Sequence, residues 1–311
     1  MTSEEIEIEL HQVARLGWAW WHSRKFMAYM MVLPAILILV GIVFYPIAQT
    51  FWLSLHEYDL RFGNRAKEFI GLSNYSEIFS DSRIWEALRF TTLFAVISVG
   101  LELVFGIGIA LLLNREFVGR TLVRALILIP WALTTVVVAR MWGLIYNSEY
   151  GILNSLLKNV GLIEKNQLWT ANQDLTFWAV IGADVWKSTP FMVLILLAGL
   201  QTIPADLYEA AKVDGANPLQ GFWHITLPGL RGTMVVALIF RTIDALRVFD
   251  LVIVLTNGQF KTESLNLYTY NKLINQQNFG FGSALAIITF CYIAIIALLY
   301  LRVGQPSEKK I

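Results

Sequence analysis

Charged residues are scarce in this sequence of 311 residues, of which Asp, Glu, Lys and Arg make up 15%. A soluble domain carries about 25% of such residues. Hydrophobic residues make up 56% of the chain, and the mean hydropathy is +0.57. Several apolar runs are long enough to cross a bilayer, which takes about 20 mostly apolar residues. The sequence therefore predicts an integral membrane protein.

Other absences narrow the classes of function. The single cysteine, Cys291, lies in an apolar run and has no partner for an internal disulfide. A net charge of +1 gives no basic field for nucleic acid. The histidines are too scattered for a metal cluster, and the phosphate-binding loop G-x-x-x-x-G-K-[ST] and the hydrolase motifs H-E-x-x-H and G-x-S-x-G are missing. We expect no enzyme, and no cofactor or metal bound by this chain.

Six membrane-spanning segments are predicted from the apolar runs, as an all-α fold. Their approximate bounds are 26–53, 86–113, 122–146, 175–200, 232–256 and 281–302. The first run follows Arg24 and Lys25 but is too long for a signal peptide and has no clear cleavage site, so we expect it to be retained. The predicted regions are a segment 1–25, the helix 26–53, a loop 54–85, a five-helix core 86–303 and a tail 304–311.

The orientation follows from the basic residues of the short loops. Arg115, Arg120 and Arg124 follow the second span, which predicts that this loop is cytoplasmic. An even number of spans then places both termini and the loop 201–231 on the cytoplasmic side. The remaining loops, 54–85, 147–174 and 257–280, face outward and are too small to fold as separate domains.

The loop at 204–228 is the most distinctive polar stretch. Pro204 is suited to the start of a short helix, and Gly215 to its end, because glycine readily adopts the left-handed conformation that closes helices. Asn217 and Pro218 fit the N-cap and first position of a second short helix, which Pro228 is expected to break before the fifth span. At about 25 residues, the loop is much longer than the 2–8 residues of most helix connections.

The sequence E-A-A-x-x-D-G-A followed by I-T-L-P resembles the EAA loop of permease subunits of binding-protein-dependent ATP-binding-cassette (ABC) importers. The matching residues are Glu209, Ala210, Ala211, Asp214, Gly215, Ala216, Ile225, Leu227 and Pro228. The stretches WKSTPFMVLILLAGLQTIPADLYEAAKVDGA, FRTIDALRVFDLVIVLTNG and FIGLSNY are similar to the carbohydrate branch of these type I importers.

The resemblance implies a transmembrane pathway formed with a second permease subunit, usually a different chain. It also implies two cytoplasmic ATPases that bind ATP and Mg, an external solute-binding protein, a sugar substrate and residence in the inner membrane. The ATPases would dock on a coupling helix at 217–223. The residues carried over for coupling are Glu209, Ala210, Ala211, Asp214, Gly215, Asn217, Pro218, Leu219, Phe222 and Trp223.

Charged residues inside the predicted spans have two interpretations, since such residues usually face a bundle interior or water. Asp184 with Lys187, and Asp244 with Arg247, are spaced to pair along one helix face and fix helix packing. Alternatively, they line a sugar path, which needs hydrogen-bonding groups and a flat apolar surface. The path candidates are Trp186, Lys187, Thr189, Asp244, Arg247, Phe249, Asp250 and Asn257, and Glu102 and Arg140 are further intramembrane charges without an assigned place.

Other functions remain open at this level. The same importer class serves polyols, glycerol phosphate and oligosaccharides as well as small sugars. A secondary transporter would also use intramembrane charge pairs and broken helices, but it does not need the 204–228 loop. A membrane-embedded enzyme is disfavoured by the missing motifs. Gly71, Asn74 and Tyr75, before the second span, are interpreted as a structural external feature.

Overall fold

The computed structural model describes residues 24–62 and 68–304. The predictions made for residues 1–23, 63–67 and 305–311 lie outside the described residues. Five helices are long and apolar enough to cross a membrane, and a bent helix pair supplies a sixth span. The predicted all-α fold with six spans is therefore confirmed.

The elements follow one another in the order of the predicted spans, with short helices in the loops. The first span is α1 (Arg24–Ser54), which is followed by β1 (His56–Glu57), a 3-10 turn (Leu60–Phe62), β2 (Glu68–Phe69) and α2 (Ser73–Ser80). Next come α3 (Ser82–Asn114), α4 (Arg120–Ile127), α5 (Ile129–Ala132), α6 (Thr135–Ile145), α7 (Ile152–Asn159) and α8 (Gln173–Leu200). The chain continues with α9 (Ala205–Val213), α10 (Pro218–Gly221), α11 (Leu227–Leu246), α12 (Asp250–Leu255), α13 (Leu265–Tyr270) and α14 (Phe279–Gly304).

The core lies where α3 packs along α8, and α11 closes the group by contacting α3, α8 and α14. Buried residues of this core include Phe94, Met192, Leu196 and Leu230. By contrast, none of the most apolar part of α1 is buried, and its large side chains lie on the surface. Such a surface is stable against lipid or another apolar helix, which agrees with a membrane protein.

Two prolines are accommodated by π-helical turns rather than by breaks. The π turn Val40–Phe44 precedes Pro46 within α1, and a second one, Phe222–Thr226, precedes Pro228. In each turn an amide donates to the carbonyl five residues earlier, which shifts the local hydrogen-bond pattern just before the proline. The prediction that Pro228 ends the second short helix before the fifth span is therefore wrong, because one helical run extends over Pro218–Leu246.

Two of the predicted spans are not straight helices. The third bends by 92° between Arg120–Ala132 and Thr135–Ile145, because Leu133 and Thr134 have extended backbones with ψ of 143° and 144°. The fifth, predicted at 232–256, begins earlier and is interrupted between α11 and α12. Apolar composition predicts a span but carries no signal for these interruptions.

The external feature before α3 has the structural role that was predicted for it. Asn74 is buried, and its side-chain amide donates to the carbonyls of Ser54 (2.8 Å) and His56 (3.1 Å). The hydroxyl of Tyr75 is hydrogen-bonded to that of Ser54 at 2.8 Å. These bonds attach α2 to the end of α1. The short strands β1 and β2 pair antiparallel beside them, with His56 opposite Phe69.

Candidate functional site

The loop after α8 folds as two short helices joined at Gly215. Gly215 has φ of +81°, the left-handed conformation predicted for it. The amide of Ala216 donates to the carbonyl of Ala211 (2.8 Å), and that of Gly215 donates to the carbonyl of Lys212 (3.1 Å). These two bonds form a Schellman closure of α9. A left-handed residue is thus required where the chain turns toward α10.

The second helix of the loop begins with a capping box. The side chain of Asn217 accepts from the amide of Gln220 (2.9 Å), and the side chain of Gln220 accepts from the amide of Asn217 (2.8 Å). Pro218 follows in the first turn, so the predicted N-cap and helix start are confirmed. A hydrogen bond of 2.9 Å between the hydroxyls of Tyr208 and Thr226 joins α9 to the π turn and closes the loop. Sequence patterns did not identify Gln220 or that bond.

The outer surface of this loop is apolar although it is exposed. Leu219 is 67% exposed and Trp223 is 56% exposed, while Phe222 is half-buried. Glu209, Ala210 and Asp214 are exposed on the same loop. A cavity of about 590 Å³ separates the loop from the end of α3, and Asn114, Tyr208 and Asn217 are among the residues that line it. The predicted coupling residues thus lie together on one accessible unit, and their coupling role stays a prediction.

A buried ion cluster joins three spans at Arg241 of α11. The guanidinium donates to both carboxylate oxygens of Glu102 on α3, at 2.6 and 2.9 Å, and to Asp184 on α8. It also donates to Asp244 at 2.9 Å. Ser98 donates to Glu102 at 3.0 Å and to Asp184. Arg241 is 2% exposed, Glu102 is fully buried and Asp184 is buried, so these three are shielded from solvent within the chain, whereas Asp244 is exposed.

The predicted pairs Asp184–Lys187 and Asp244–Arg247 are therefore wrong, since both carboxylates bind Arg241 instead. Arg241 is buried where α3, α8 and α11 meet, and its planar guanidinium offers five donors in a fixed fork, so it binds carboxylates of all three helices, whereas Arg247 is exposed. Lys187 and Arg247 form no ion pair within the described residues. Glu102, for which the sequence suggested no position, accepts two hydrogen bonds from Arg241 and one from Ser98.

A polar cavity of about 110 Å³ lies beside the cluster, where α11 gives way to α12. Five of the predicted path residues line it, namely Lys187, Asp244, Arg247, Phe249 and Asp250. Asp184, Ser188, Arg241 and Thr135 also contribute to its wall. The structure therefore brings most of the path candidates together around one space.

Three path candidates do not line this cavity, and their place on a sugar path stays a prediction. Trp186 packs edge-on against Trp142, with ring centroids 5.9 Å apart. The hydroxyl of Thr189 donates to the carbonyl of Val185 at 2.6 Å and is occupied within its own helix. Asn257 follows the end of α12 with φ of +53°. Trp186 and Thr189 thus have other contacts on α8, and Asn257 lies beyond the end of α12.

The interruption between α11 and α12 is stabilised by side chains at the start of α13, where Ser264 is the N-cap and Asn266 lies in the first turn. The side-chain amide of Asn266 donates to the carbonyl of Arg247 at 2.8 Å, and the hydroxyl of Ser264 donates to that of Val248 at 2.7 Å. Phe249, which follows Val248 and precedes α12, has φ of −144° and ψ of −65°, outside the helical range. Neither Ser264 nor Asn266 was predicted, because nothing in their local sequence points to a partner 16 to 19 residues away.

The end of the bundle at which α3 begins carries a second polar group. Arg83 at the start of α3 donates to both oxygens of Glu263 at 3.0 and 2.9 Å, and Tyr268 donates to the carboxylate of Asp81. Burial by itself would raise the pKa of Asp81, but the hydrogen bonds from Tyr268 and from the amide of Arg83 keep that pKa below its ordinary value. The group fastens the α12–α13 loop to α3.

Comparison with known proteins places the chain in a family. The family model described as "Binding-protein-dependent transport system inner membrane component" matches residues 102–305. The trehalose/maltose transport system permease protein MalF of Thermococcus litoralis is 44% identical over 281 residues, which cover 90% of this chain and 94% of that protein. The chain therefore belongs to the family of inner membrane components of binding-protein-dependent transport systems.

Other relatives are of similar length. The trehalose transport system permease protein SugA of Mycobacterium tuberculosis is 38% identical, with 92% of this chain and 94% of that protein covered. The sulfoquinovosyl glycerol transport system permease protein SmoG of Agrobacterium fabrum is 36% identical, with 97% and 98% covered. These relatives are permease subunits, so the expectation that this chain is a transporter subunit and not an enzyme is confirmed.

A solved structure supports the fold. The crystal structure of a bacterial ABC transporter involved in the import of the acidic polysaccharide alginate superposes with a TM-score of 0.79. The match covers 92% of this chain and 97% of that chain at 23% identity. The expected type I importer permease fold is thereby confirmed.

Proposed function

We propose that this chain is a permease subunit of an ATP-driven importer that carries a sugar, with a small neutral sugar such as a disaccharide as the substrate class. The observation that carries the proposal is the identity of 44% and 38%, over nearly the whole chain, to permeases named for trehalose or maltose. The relative named for sulfoquinovosyl glycerol keeps a second substrate class, a sugar glycoside, as the alternative.

The polar cavity supports a sugar as the transported solute. Sugars require hydrogen-bond donors and acceptors together with a flat apolar surface. Lys187 and Arg247 offer donors, Asp250 offers acceptors and Phe249 offers an aromatic face, all on the wall of one cavity. The break between α11 and α12 resembles the interrupted helices that line solute sites in other transporters.

The pathway is proposed to need a second permease subunit, because the cavity is too small for a ligand on its own. The resemblance to the carbohydrate branch makes a different chain the expected partner. Its volume is about 110 Å³, whereas ligand pockets usually measure about 300–1,000 Å³. An external solute-binding protein, which the family description implies, would deliver the sugar at the end of the bundle that carries α2 and α13. In this orientation both chain termini and the 204–228 loop face the cytoplasm.

One of the two ATPase subunits is proposed to dock on the opposite end, at the loop of α9 and α10, and the other on the matching loop of the second permease subunit. The exposed Leu219 and Trp223 supply the apolar contact that an interface core requires. ATP and Mg would be bound by those subunits, since this sequence has no phosphate-binding loop. ATP binding and sugar delivery then shift one inward–outward equilibrium, each by its difference in affinity for the two states.

The proposal is tested by uptake into vesicles that contain the complete complex. We expect saturable uptake of trehalose or maltose that requires ATP on the cytoplasmic side and the binding protein on the other side. Uptake of a polyol or glycerol phosphate with no uptake of either disaccharide would refute the sugar assignment. Uptake that persists without ATP would instead indicate a secondary transporter.

Substitutions of Arg247 and Asp250 test whether the cavity lies on the sugar pathway. The variants Arg247→Ala and Asp250→Ala should each lower uptake about tenfold, because a hydrogen bond to a charged group contributes about 1.5–3 kcal/mol. The amount of assembled complex should change little, since both residues are exposed in this chain. Lys158→Ala, which changes an exposed charge on α7 far from the cavity, is the control. Normal uptake by both cavity variants would assign Arg247 and Asp250 to helix packing.

A further inference from the structure

We propose that Ser264 and Asn266 are positioning residues for transport, which cap the broken helix and thereby hold the cavity wall in place. The inference rests on the proposed function only in assigning the cavity to the solute pathway. The geometry that carries it is the pair of side-chain hydrogen bonds to the carbonyls of Arg247 and Val248, at 2.8 and 2.7 Å.

The break leaves those two carbonyls without their helical partners. In a continuous helix they would accept from the amides of residues 251 and 252, but the chain departs from helical geometry at Phe249 and α12 begins at Asp250. A buried carbonyl without a partner is destabilising. Ser264, which is fully buried, supplies the missing donor to the buried Val248, and Asn266 supplies one to the carbonyl of Arg247, a residue that is itself exposed.

The capping residues are themselves held by α3. The amide of Leu265 between them donates to the hydroxyl of Thr91 at 3.0 Å. Glu263, one residue earlier, is bound by Arg83 through two hydrogen bonds and by the side-chain amide of Asn271 at 2.9 Å. The helix break is therefore fixed to the same helix that carries Glu102 of the ion cluster. The ion cluster and the Arg83–Glu263 pair thus both connect segments next to the cavity to α3.

The residues that the caps hold are cavity residues. Arg247 and Val248 supply the capped carbonyls, and their side chains and that of Phe249 line the cavity. Phe249 also packs on Tyr270 of α13, with ring centroids 5.1 Å apart. Loss of a cap should thus allow the segment 247–249 to move without removing any group that faces the solute.

The experiment compares Asn266→Ala with Asn275→Ala in the assembled complex. Asn275 is an exposed amide on the same outer segment, where it donates only to the side chain of Asn271 at 2.8 Å, so it is a matched control. Hydrogen exchange over residues 247–253 should be about fivefold faster in Asn266→Ala and unchanged in Asn275→Ala, since one net hydrogen bond of about 1 kcal/mol is lost. The maximal uptake rate should fall by a similar factor.

Three further variants separate capping from general destabilisation. Asn266→Asp keeps the shape but presents an acceptor to a carbonyl, so it should behave like Asn266→Ala. Ser264→Thr keeps the hydroxyl and should retain uptake, whereas Ser264→Ala should lose it together with the N-cap of α13, where Ser264 accepts from the amide of Leu267. Exchange in Asn266→Ala and Asn266→Asp equal to that of the unchanged chain would overturn the proposal.

The design also separates this inference from the sugar assignment. Hydrogen exchange is measured without substrate, so it decides whether Asn266 restrains the break for any transported solute. If the unchanged complex imports no disaccharide, the proposed function fails while the exchange result stands. If it imports a disaccharide and Asn266→Ala imports it at the same maximal rate, the positioning role is wrong and the proposed function survives.

Discussion

Replacing Arg241 by methionine is expected to destabilise the protein by about 3–5 kcal/mol, the cost of breaking a buried ion pair by removing one partner. Arg241→Met would leave Glu102 and Asp184 buried without the guanidinium that now binds both. Methionine forms no ion pair, so the change removes the residue that, within the described part of the chain, links α3, α8 and α11 by ion pairs. We therefore expect little assembled complex, and a lower midpoint of thermal unfolding for what is recovered in detergent.

The compensated variant tests the physical cause. Combining Arg241→Met with Glu102→Leu and Asp184→Leu removes every buried charge of the core cluster, and such replacements are often neutral for stability. We expect the triple variant to recover most of the thermal stability, and Arg140→Met, at an exposed arginine of α6, to leave it unchanged. An Arg241→Met protein as stable as the unchanged chain would show that the cluster does not hold the three helices together.

The cluster also shows what the sequence could not predict. Spacing along one helix predicted partners at i,i+3, but Arg241 binds Glu102 and Asp184 from positions 139 and 57 residues away. The choice among partners depends on which helix faces meet, and six apolar spans of similar composition carry little information about that. Glu102, Asp184 and Asp244 were identified from the sequence as intramembrane charges, while their pairing with Arg241 required the packed bundle.

The conformation of the loop at 204–228 was easier to predict, because the residues that determine it act on neighbouring residues in the sequence. Gly215, Asn217 and Pro218 act within one helical turn, so their conformations could be predicted from side-chain chemistry alone. Pro228 was misread for a related reason. Its local effect was inferred from an ordinary α-helix, whereas the preceding π turn alters the hydrogen bonds around it. The six spans were predictable from apolar length, but the bend in the third and the break in the fifth were not.

Deleting residues 217–223 is expected to abolish ATP-dependent uptake while the chain still inserts in the membrane. The deletion removes α10 with its exposed Leu219, and the exposed Trp223 that follows it. These are the apolar side chains on which we expect an ATPase subunit to dock. Co-purification of the ATPase with the deleted chain, followed by uptake in vesicles, measures the effect. Full ATPase binding and normal uptake would contradict the coupling role of this helix.

Gly215→Val is the more informative change, because it alters the direction of α10 without removing a contact. A side chain at φ of +81° costs about 1–2 kcal/mol, and no other atom lies within 4 Å of the added carbon, so the effect is confined to the backbone. Gly119→Val imposes the same kind of strain, at φ of +86° and with the same open space, in the loop before α4. We expect uptake to be lost in Gly215→Val and retained in Gly119→Val. Equal uptake by the two variants would mean that the turn at Gly215 does not set how motion of the ATPases enters the membrane helices.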